Sequence, residues 1–514
     1  MEKLYGQNTL LTCKDSIIRV PFLVKGNLVT PPEITRSQIE SAFKQFDRNA
    51  TCIHLAGAQV LREPIIDRNT MRYTGDYIYQ IMPQVNAREL IETDFDKLAS
   101  ELYLLSVEDI LCYMENILDG ILANGSLLES VLETLRLTSE CPYTFLREWA
   151  VSLTSSFDRL TARRIIDSEL SYMGQPGSIF LDGWAEADFS SEGQEKLFVR
   201  AMPTRQLHIT AGNAPEVPVV SVLRAVLTKS AAVIKLPYGA TAVGALLSLA
   251  AAAGAPDHPV TKNLSIVYWP GGEESIENVL FGPGSFDRIV IWGSPNAVSS
   301  VRSRTPFTKV SSFNPRYGVS LVGREAFEND IEAVAEHTAR DVMIYNQKAC
   351  TSSLVQYVEG TLEQAEHFAR LLAAALEQHN IKAPGFTPPS ATGQIKRMRR
   401  GKYAAGTWCI NNYMGNYSSG TVVIPGEFDI LDHPMCRLAI IRPVSSLDNA
   451  LKYMSQNVST AGVYPEDRRL ELRDRILARG VSNVLPLGEC GKAYPGMPHD
   501  GVLALNELVD WKIS

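Results

Sequence analysis

Short apolar runs that alternate with segments of helical spacing constrain this sequence more than any other feature. The alternation runs from about residue 200 to 315 and returns from about 319 onwards. Strands separated by helical segments of this length are typical of βαβ units, so we predict an α/β protein with two doubly wound parallel sheets. The predicted strands are 206–210, 231–235, 264–269, 288–292, 319–322, 354–358 and 437–443, and the predicted helices are 218–228, 242–252, 275–280, 330–343, 362–378 and 447–457.

The first 140 residues lack this regular alternation. Strands are predicted at 20–24 and 77–81, where β-branched and aromatic residues cluster. Helical segments are predicted at 94–139 and 143–173, because apolar residues such as Leu98, Leu102 and Leu105 recur on one helical face. The N-terminal part is therefore expected to be a mixed α/β region.

Composition excludes several classes of protein. The chain has 514 residues, and 49 Lys and Arg against 57 Asp and Glu give a net charge of −8. A nucleic-acid-binding protein needs a basic footprint, so we predict no nucleic-acid partner. The first residues lack the pattern of a signal peptide, and the Ala- and Gly-rich stretch 236–256 indicates a buried helix rather than a membrane span. We expect a cytoplasmic protein.

The cysteines form no Cys-x-x-Cys pair, so no metal site is predicted. Cys350 differs from the others because it lies in the polar break 345–353, between a predicted helix and a predicted strand. A thiol on such a loop is placed to act as a nucleophile, although an isolated loop cysteine is more often incidental. The remaining cysteines, expected in core or ordinary surface positions, are Cys13, Cys52, Cys112, Cys141, Cys409, Cys436 and Cys490.

No Gly-x-Gly-x-x-Gly motif follows a predicted strand, so a dinucleotide would have to bind another strand-end loop. Lys235 ends a very apolar strand, where a phosphate or ribose hydroxyls would satisfy its charge; the alternative is a lysine that reaches water. Gly293 and Ser294 end another strand and suit a pyrophosphate at a helix N-terminus. The alternative there is an ordinary helix cap, with Ser294 capping and Pro295 in the first turn.

Five basic residues between 396 and 402 form a further candidate site. Such a run is usually the solvated face of a helix. The alternative is a contact with the phosphates of a coenzyme A or carrier substrate.

Four of these motifs occur together in one order: Gly212-Asn213-Ala214-Pro215, Lys235, Gly293-Ser294 and Asn346-Gln347-Lys348-Ala349-Cys350. In this order and spacing the chain resembles the aldehyde dehydrogenase superfamily. The stretches 208–213 and 498–511 make it more similar to the LuxC-type acyl-CoA reductase family. The resemblance covers about residues 140 to 514 and is much weaker over the first 130.

The resemblance implies roles for individual residues. Cys350 would be the thiolate that takes the acyl group, and the Asn213 amide, with the Cys350 backbone N–H, would form the oxyanion hole. The remaining implied positions belong to the cofactor site: Gly212, Lys235 at the adenosine ribose, Tyr238 three residues later, and Gly293 with Ser294 at the pyrophosphate.

Three departures from the superfamily refine the expected reaction. The stretch 312–318 has no carboxylate where hydrolytic members carry their base, which favours thioester reduction over aldehyde oxidation. Tyr238 replaces a glutamate of NAD-preferring members, and with no acid nearby in sequence NADPH is expected, with NADH as the alternative. The glutamate that binds the nicotinamide ribose in the superfamily is missing near 433–436.

His499 is a further candidate for the site. It is expected either to donate a proton, since histidine titrates near neutrality, or to pack at a domain joint.

The resemblance therefore predicts an aldehyde dehydrogenase-like chain that reduces an acyl thioester, with NADPH, through an acyl-cysteine. The substrate would be a medium or long fatty acyl group on coenzyme A or a carrier, with an acyl-protein synthetase as a candidate partner and a homo-oligomer expected. The alternatives are a thiol acyltransferase without hydride transfer and a scaffold subunit. The expected regions are 1–140 (mixed N-terminal), 141–317 (NAD(P)-binding), 318–480 (catalytic) and 481–514 (a tail that packs back on the core).

Overall fold

The computed structural model of the protein describes residues 16–46, 49–123, 125–188 and 196–514, so Cys13 lies outside the described residues. The strands in this part of the chain are labelled in chain order. They are β1 (Ile17–Arg19), β2 (Phe22–Val24), β3 (Asn27–Val29), β4 (Cys52–Leu55), β5 (Ala58–Asp67), β6 (Arg72–Pro83), β7 (Ala185–Asp188), β8 (Lys196–Met202), β9 (Arg205–Ile209), β10 (Ala231–Lys235), β11 (Leu264–Val267), β12 (Arg288–Trp292), β13 (Lys309–Phe313), β14 (Tyr317–Val322), β15 (Ser353–Glu359), β16 (Thr407–Tyr413), β17 (Asn416–Val423), β18 (Leu438–Val444), β19 (Val458–Tyr464), β20 (Asn483–Pro486) and β21 (Asp510–Ile513).

Several of the helices begin after a residue whose side chain caps the first turn. Helix α4, for example, begins after Ser106, whose hydroxyl and the Asp109 carboxylate form a capping box. The helices are α1 (Arg36–Phe46), α2 (Ala87–Leu90), α3 (Phe95–Glu101), α4 (Val107–Leu122), α5 (Gly125–Thr138), α6 (Tyr143–Ser156), α7 (Arg159–Glu169), α8 (Gly177–Asp182), α9 (Glu216–Leu227), α10 (Thr241–Gly254), α11 (Pro259–Lys262), α12 (Glu274–Leu280), α13 (Pro295–Arg304), α14 (Ile331–Met343), α15 (Leu362–Lys382), α16 (Pro389–Arg400), α17 (Leu447–Ala450) and α18 (Glu466–Leu477).

The first large sheet has the strand order β13-β12-β9-β10-β11-β2-β3, with β9 to β13 all parallel. The chain leaves β9 on one side towards β10 and β11 and returns on the other side at β12. The carboxyl ends of β9 and β12 therefore form the crevice in which such sheets bind ligands. The predicted parallel sheet is confirmed. Strand β2 lies within the predicted strand 20–24, whereas β3 and β13 carry too few apolar residues in a row and were not predicted.

The second large sheet has the order β16-β17-β18-β15-β14-β19-β20. Its strands β14, β15, β17, β18, β19 and β20 pair in parallel, and β16 pairs with β17 as an antiparallel hairpin. Because Gly, Ser and Asn interrupt its apolar residues, this hairpin was not predicted. The predicted helix 447–457 is wrong in its second half: α17 ends at Ala450, and a 3-10 turn, Leu451–Tyr453, leads towards β19.

Two smaller sheets complete the described structure. Strands β1, β6, β5 and β4 form one, and β21, β8 and β7 form the other, so the end of the chain returns to the strand that precedes β9. The Ala-rich helix α10 is buried from Thr241 to Ala252, as the sequence predicts. In the described residues, no helix combines the length and the hydropathy that crossing a membrane requires.

Candidate active site

Cys350 lies on a loop with an unusual backbone. It follows α14 and the 3-10 turn Ile344–Gln347 and precedes β15. Tyr345, Asn346 and Gln347 have φ values of 44°, 58° and 66°, so three consecutive residues with side chains adopt the left-handed region. Such backbone costs free energy and persists only where the surroundings hold it.

Two buried amide side chains hold this loop. Asn346 donates from Nδ2 to the Phe386 carbonyl at 2.9 Å. Gln347 donates from Nε2 to the carbonyls of Ser353 at 3.1 Å and Leu438 at 2.9 Å. Both amides are 1% exposed, so these bonds are shielded from water. The two residues that the sequence marked as part of a motif therefore fix the backbone that presents Cys350.

The loop after β9 reaches the Cys350 loop across the crevice. Asn213 is exposed and donates from Nδ2 to the carbonyl oxygen of Lys348 at 3.2 Å. Gly212 allows a second close approach, because a Cβ there would lie 2.1 Å from the carbonyl oxygen of Tyr238. The structure thus brings Asn213 against Lys348, two residues before Cys350, although the two loops follow elements of different sheets and lie far apart in sequence.

The Cys350 thiol is half-buried, and its electrostatic surroundings are mixed. Burial and the nearby carboxylates of Asp500 and Glu216 raise the pKa of the thiol, the Arg316 guanidinium opposes them, and the net pKa is about 11. The Ser459 hydroxyl donates a hydrogen bond to the Cys350 carbonyl. Sequence reasoning missed these four partners, although Arg316 lies within the stretch 312–318 that it searched for a carboxylate.

Lys235 is a buried cation without a carboxylate in salt-bridge distance among the described residues. Burial lowers its pKa to about 8. Its Nζ lies 5.6 Å and 5.3 Å from the ring centroids of Tyr268 and Trp269, and it donates a long hydrogen bond of 3.5 Å to the Leu236 carbonyl. The side chain therefore has donor capacity left for the hydroxyls or phosphates of a nucleotide, which fits the dinucleotide that the sequence predicts.

The turn after β12 has the geometry of an ordinary helix cap. Ser294 accepts a hydrogen bond from the Ala297 backbone N–H at 3.3 Å, and Pro295 occupies the first turn of α13. Of the two interpretations of this turn, a pyrophosphate site and an ordinary helix cap, the structure shows the geometry of the helix cap. Gly293 and Ser294 still lie at the carboxyl end of β12, beside the crevice, so the cap and a nearby pyrophosphate are compatible.

The surroundings of Tyr238 correct one sequence inference. Tyr238 is exposed, and its hydroxyl donates to the Arg62 carbonyl at 3.3 Å. The neighbouring Gly239 N–H donates to the Glu63 carboxylate, which also accepts a bond of 2.7 Å from Gln80. The inference that no acid lies near Tyr238 is wrong in space, because β5 brings Glu63 there from a distant part of the sequence. Burial raises the pKa of Glu63 to about 7.

His499 packs where the two large sheets meet. Its ring lies 4.7 Å from Phe313 and 5.0 Å from Trp292, and its Nδ1 lies 3.2 Å from Nη2 of Arg224. Because a guanidinium only donates, Nδ1 accepts and the proton of the neutral ring lies on Nε2. Burial and the charges of Arg224 and Arg316 lower the pKa of His499 to about 3. The premise that this histidine titrates near neutrality is therefore wrong.

The basic run lies on the last turns of α16 and just beyond it. Lys396, Arg397, Arg399, Arg400 and Lys402 are all exposed. Lys402 pairs with Asp432 at 3.1 Å, and the Arg399 guanidinium lies 5.9 Å from the Trp408 ring centroid. This arrangement is that of a solvated helix face, the more ordinary of the two interpretations.

Comparisons with known proteins agree with this geometry. The chain is 28% identical over 331 residues to a long-chain acyl-protein thioester reductase of Aliivibrio fischeri and 25% identical over 323 residues to one of Vibrio harveyi. These matches cover 61% and 62% of this chain and 64% and 65% of the two relatives, less than two thirds of their length.

Several solved structures with a similar fold are aldehyde dehydrogenases. One from Brucella melitensis biovar abortus 2308 is 14% identical with a TM-score of 0.69, and the match covers 96% of both chains. The lactaldehyde dehydrogenase of Escherichia coli is 13% identical with a TM-score of 0.68 and covers 96% of this chain and 98% of its own. The predicted aldehyde dehydrogenase-like fold is confirmed. The profile of the acyl-CoA reductase (LuxC) family matches residues 105–511, and the chain therefore belongs to that family.

Proposed function

We propose that this protein reduces an acyl thioester to an aldehyde through an acyl group carried on Cys350. The observation that carries the proposal is the contact between the Asn213 loop and the Cys350 loop in the crevice at the carboxyl ends of β9 and β12. A nucleophile, an amide donor and a nucleotide-compatible lysine converge on one side of the first sheet. The names of the relatives, long-chain acyl-protein thioester reductases, support the same substrate class.

The first half-reaction is acyl transfer. The Cys350 thiolate attacks the thioester carbonyl, a new C–S bond forms, and the donor thiolate leaves and takes up a proton. The Asn213 amide and the Cys350 backbone N–H would stabilise the charge on the carbonyl oxygen in the transition state. The stretch 312–318 carries no carboxylate to activate water, and the carboxylates near the thiol pair with other groups, Asp500 with Arg316 and Glu216 with Tyr345, so the acyl-enzyme would persist.

The second half-reaction needs a reduced nicotinamide, which supplies a hydride to the acyl carbon when it is bound. Lys235 would hold the adenosine ribose, Gly212 and Tyr238 would border it, and Gly293 with Ser294 would lie at the pyrophosphate. The resulting thiohemiacetal collapses to the aldehyde and returns the Cys350 thiolate. His499 would donate a hydrogen bond from Nε2 as a neutral ring, because burial and the charges of Arg224 and Arg316 lower its pKa to about 3.

NADPH is the proposed cofactor, and NADH is the alternative. The exposed side chain at Tyr238 offers no charge to repel a 2′-phosphate. Glu63 is the carboxyl that would favour NADH. It accepts a hydrogen bond from the Gly239 N–H, and it is ionised above about pH 7, where its charge would repel a 2′-phosphate. Glu63 is 2% exposed and accepts hydrogen bonds from Gly239 and Gln80, so its carboxyl is not open to a ligand, which leaves NADPH as our proposal.

The acyl donor would be an acyl-CoA or an acyl group on a carrier protein. A long-chain fatty acyl group is proposed from the relatives' names alone. An acyl-protein synthetase partner and a homo-oligomer remain proposals of the same kind.

The test is to follow the absorbance of NADPH with a saturated acyl-CoA, trap the aldehyde, and search for an acyl adduct on Cys350 by mass spectrometry. Cofactor oxidation with aldehyde formation, lost in Cys350→Ala and kept in Cys112→Ala, would support the proposal; Cys112 is an exposed cysteine and serves as the matched control. An adduct without oxidation, in the presence of both NADPH and NADH, would favour the acyltransferase alternative. A normal yield of aldehyde from Cys350→Ala would overturn the proposal.

A further inference from the structure

Arg316 stands beside the Cys350 loop because two backbone segments touch. Gly318, two residues after Arg316, donates from its N–H to the Ser352 carbonyl at 2.8 Å. A Cβ at Gly318 would lie 2.2 Å from the Thr351 carbonyl oxygen, so only glycine permits this approach. This contact therefore fixes the spacing between the start of β14 and the backbone that follows Cys350.

A chain of hydrogen bonds joins Arg316 to the nucleophile. The guanidinium donates to the Ser482 hydroxyl. The Ser482 backbone N–H donates to the Ser459 carbonyl at 3.1 Å, and the Ser459 hydroxyl donates to the Cys350 carbonyl. The hydrogen bonds of Ser482 and Ser459 thus connect the Arg316 side chain with the backbone of the loop that carries the thiol.

Asp500 neutralises Arg316 from the other side. Its Oδ1 lies 3.4 Å from Nη1 of Arg316, and the two side chains are 14% and 16% exposed. Asp500 has a φ of 50° and lies in a tight turn in which the backbones of His499 and Val502 exchange two hydrogen bonds. His499 packs against Phe313 of the first large sheet and contacts Arg224. The turn therefore places the Asp500 carboxylate next to Arg316.

Charged groups of both signs surround the thiol. Two carboxylates oppose its ionisation, Asp500 and Glu216; the latter is held by the Tyr345 hydroxyl. One cation, Arg316, favours it. His499 is neutral, and Arg224 acts on Asp500 and His499 rather than on the thiol. The charge of Arg316 therefore favours the Cys350 thiolate, and those of Asp500 and Glu216 oppose it.

We propose that Arg316 is the positioning residue that stabilises the Cys350 thiolate, and that Asp500 restrains it by pairing with its guanidinium. This inference rests on the proposed function in taking Cys350 as the nucleophile. The step is an ionisation: the S–H bond breaks, the proton passes to water, and the electron pair stays on sulfur, where the charge of Arg316 favours it. An arginine thus stabilises the thiolate from the stretch in which hydrolytic members of the superfamily carry the carboxylate that activates water.

The test measures the rate at which iodoacetamide alkylates Cys350 as a function of pH, read on the Cys350 peptide by mass spectrometry so that other cysteines do not interfere. Asp500→Asn should shift the midpoint to lower pH and speed alkylation at pH 7 by about tenfold, because a charge close to a titrating group shifts its pKa by about one unit or more. Arg316→Gln should slow it by a similar factor. Arg316→Lys, which keeps the charge, should fall between Arg316→Gln and the unchanged protein.

The matched control is Asp287→Asn, which breaks an Arg–Asp pair of 2.8 Å with Arg205 at the start of β12, away from the crevice. It should leave the profile of Cys350 unchanged. In the double variant Arg316→Gln/Asp500→Asn, the effect of removing Asp500 should shrink, because no guanidinium is left to release.

Unchanged profiles in Asp500→Asn and Arg316→Lys would overturn the proposal, and so would strictly additive shifts in the double variant. The readout needs no turnover. An acyl adduct on Cys350 with unchanged alkylation profiles would overturn this inference alone, whereas a missing adduct with shifted profiles would count against the proposed function alone.

Discussion

The Asn213 side-chain amide donates to the carbonyl oxygen of Lys348 at 3.2 Å, two residues before Cys350. A donor from the first large sheet thus lies against the backbone that carries the nucleophile on the second. Because this amide is exposed, it can turn from a backbone oxygen to a substrate oxygen without a buried donor being left unpaired.

Asn213→Asp should slow acylation of Cys350 by about 10²- to 10³-fold, the usual loss when one oxyanion donor is removed. The substitution keeps the shape and replaces the N–H donor with an acceptor. Single-turnover transfer from an acyl-CoA, followed by mass spectrometry of the adduct, measures it. Binding of NADPH should change little, which separates this effect from a distorted crevice. Acylation at the unaltered rate would exclude Asn213 from the oxyanion hole.

Lys235→Met should weaken cofactor binding and stabilise the fold. The loss of charged hydrogen bonds should raise the Kd for NADPH by at least about tenfold. The lowered pKa of about 8 means that folding at pH 7 opposes the ammonium charge, so its removal should raise the free energy of unfolding by about 1–3 kcal/mol. Fluorescence titration and urea unfolding measure the two effects.

The sign of the Lys235 effect can be checked with pH. The native state releases its proton above about pH 8, whereas the unfolded lysine keeps it to about 10.5. The stability of the unaltered protein should therefore rise across that window relative to Lys235→Met. A destabilised Lys235→Met variant with a normal Kd would show that the lysine is structural.

Glu63→Gln should change the pH dependence of stability. Burial raises the pKa of Glu63 from 4.5 to about 7, so the native carboxyl binds more protons than the unfolded one between these values. The contribution of the Glu63 carboxyl to the free energy of unfolding is therefore fully present below about pH 4.5 and is lost as pH rises through 7. The difference in unfolding free energy between the variant and the unaltered protein should therefore move in favour of Glu63→Gln from pH 5 to 8, by up to about 3 kcal/mol. Urea midpoints at the two pH values test this, and a constant difference would contradict it.

The sequence predicted the parts of this fold that depend on local pattern. Strands such as 231–235 and 288–292 are continuous apolar runs, and the structure has them at the predicted bounds. The hairpin β16–β17 was missed because its pairing partners, not its own hydrophobicity, hold it in the sheet.

The residues of the candidate site likewise fall into those that the sequence revealed and those that it did not. The motif residues Asn213 and Cys350 could be found because they stand in recognisable runs. Glu63, Arg316 and Asp500 could not be placed near their partners, because β5, the start of β14 and the turn after 498 meet the site only through tertiary packing. Contacts between residues distant in sequence leave no periodic signal in a single chain.

Gly318→Ala tests whether the position of the Cys350 loop matters for catalysis. The added Cβ would lie 2.2 Å from the Thr351 carbonyl oxygen and 2.9 Å from that of Ser352, so the backbone next to Cys350 must shift. A misplacement of about 1 Å at a reacting group can cost about 10²-fold in rate, and we expect acylation to fall by at least about tenfold in a protein that is still folded.

The matched control is Gly393→Ala in α16, where the new Cβ would meet a single side-chain atom, Nη1 of Arg397, at 3.5 Å. Alanine favours a helix over glycine by up to about 1 kcal/mol, so this variant should be as stable as the unaltered protein or more so, with normal acylation. Circular dichroism and the adduct assay are measured on both variants. If Gly318→Ala folds and acylates at the rate of Gly393→Ala, the close approach of β14 to the loop has no catalytic role, and the distance from Arg316 to the thiol is set elsewhere.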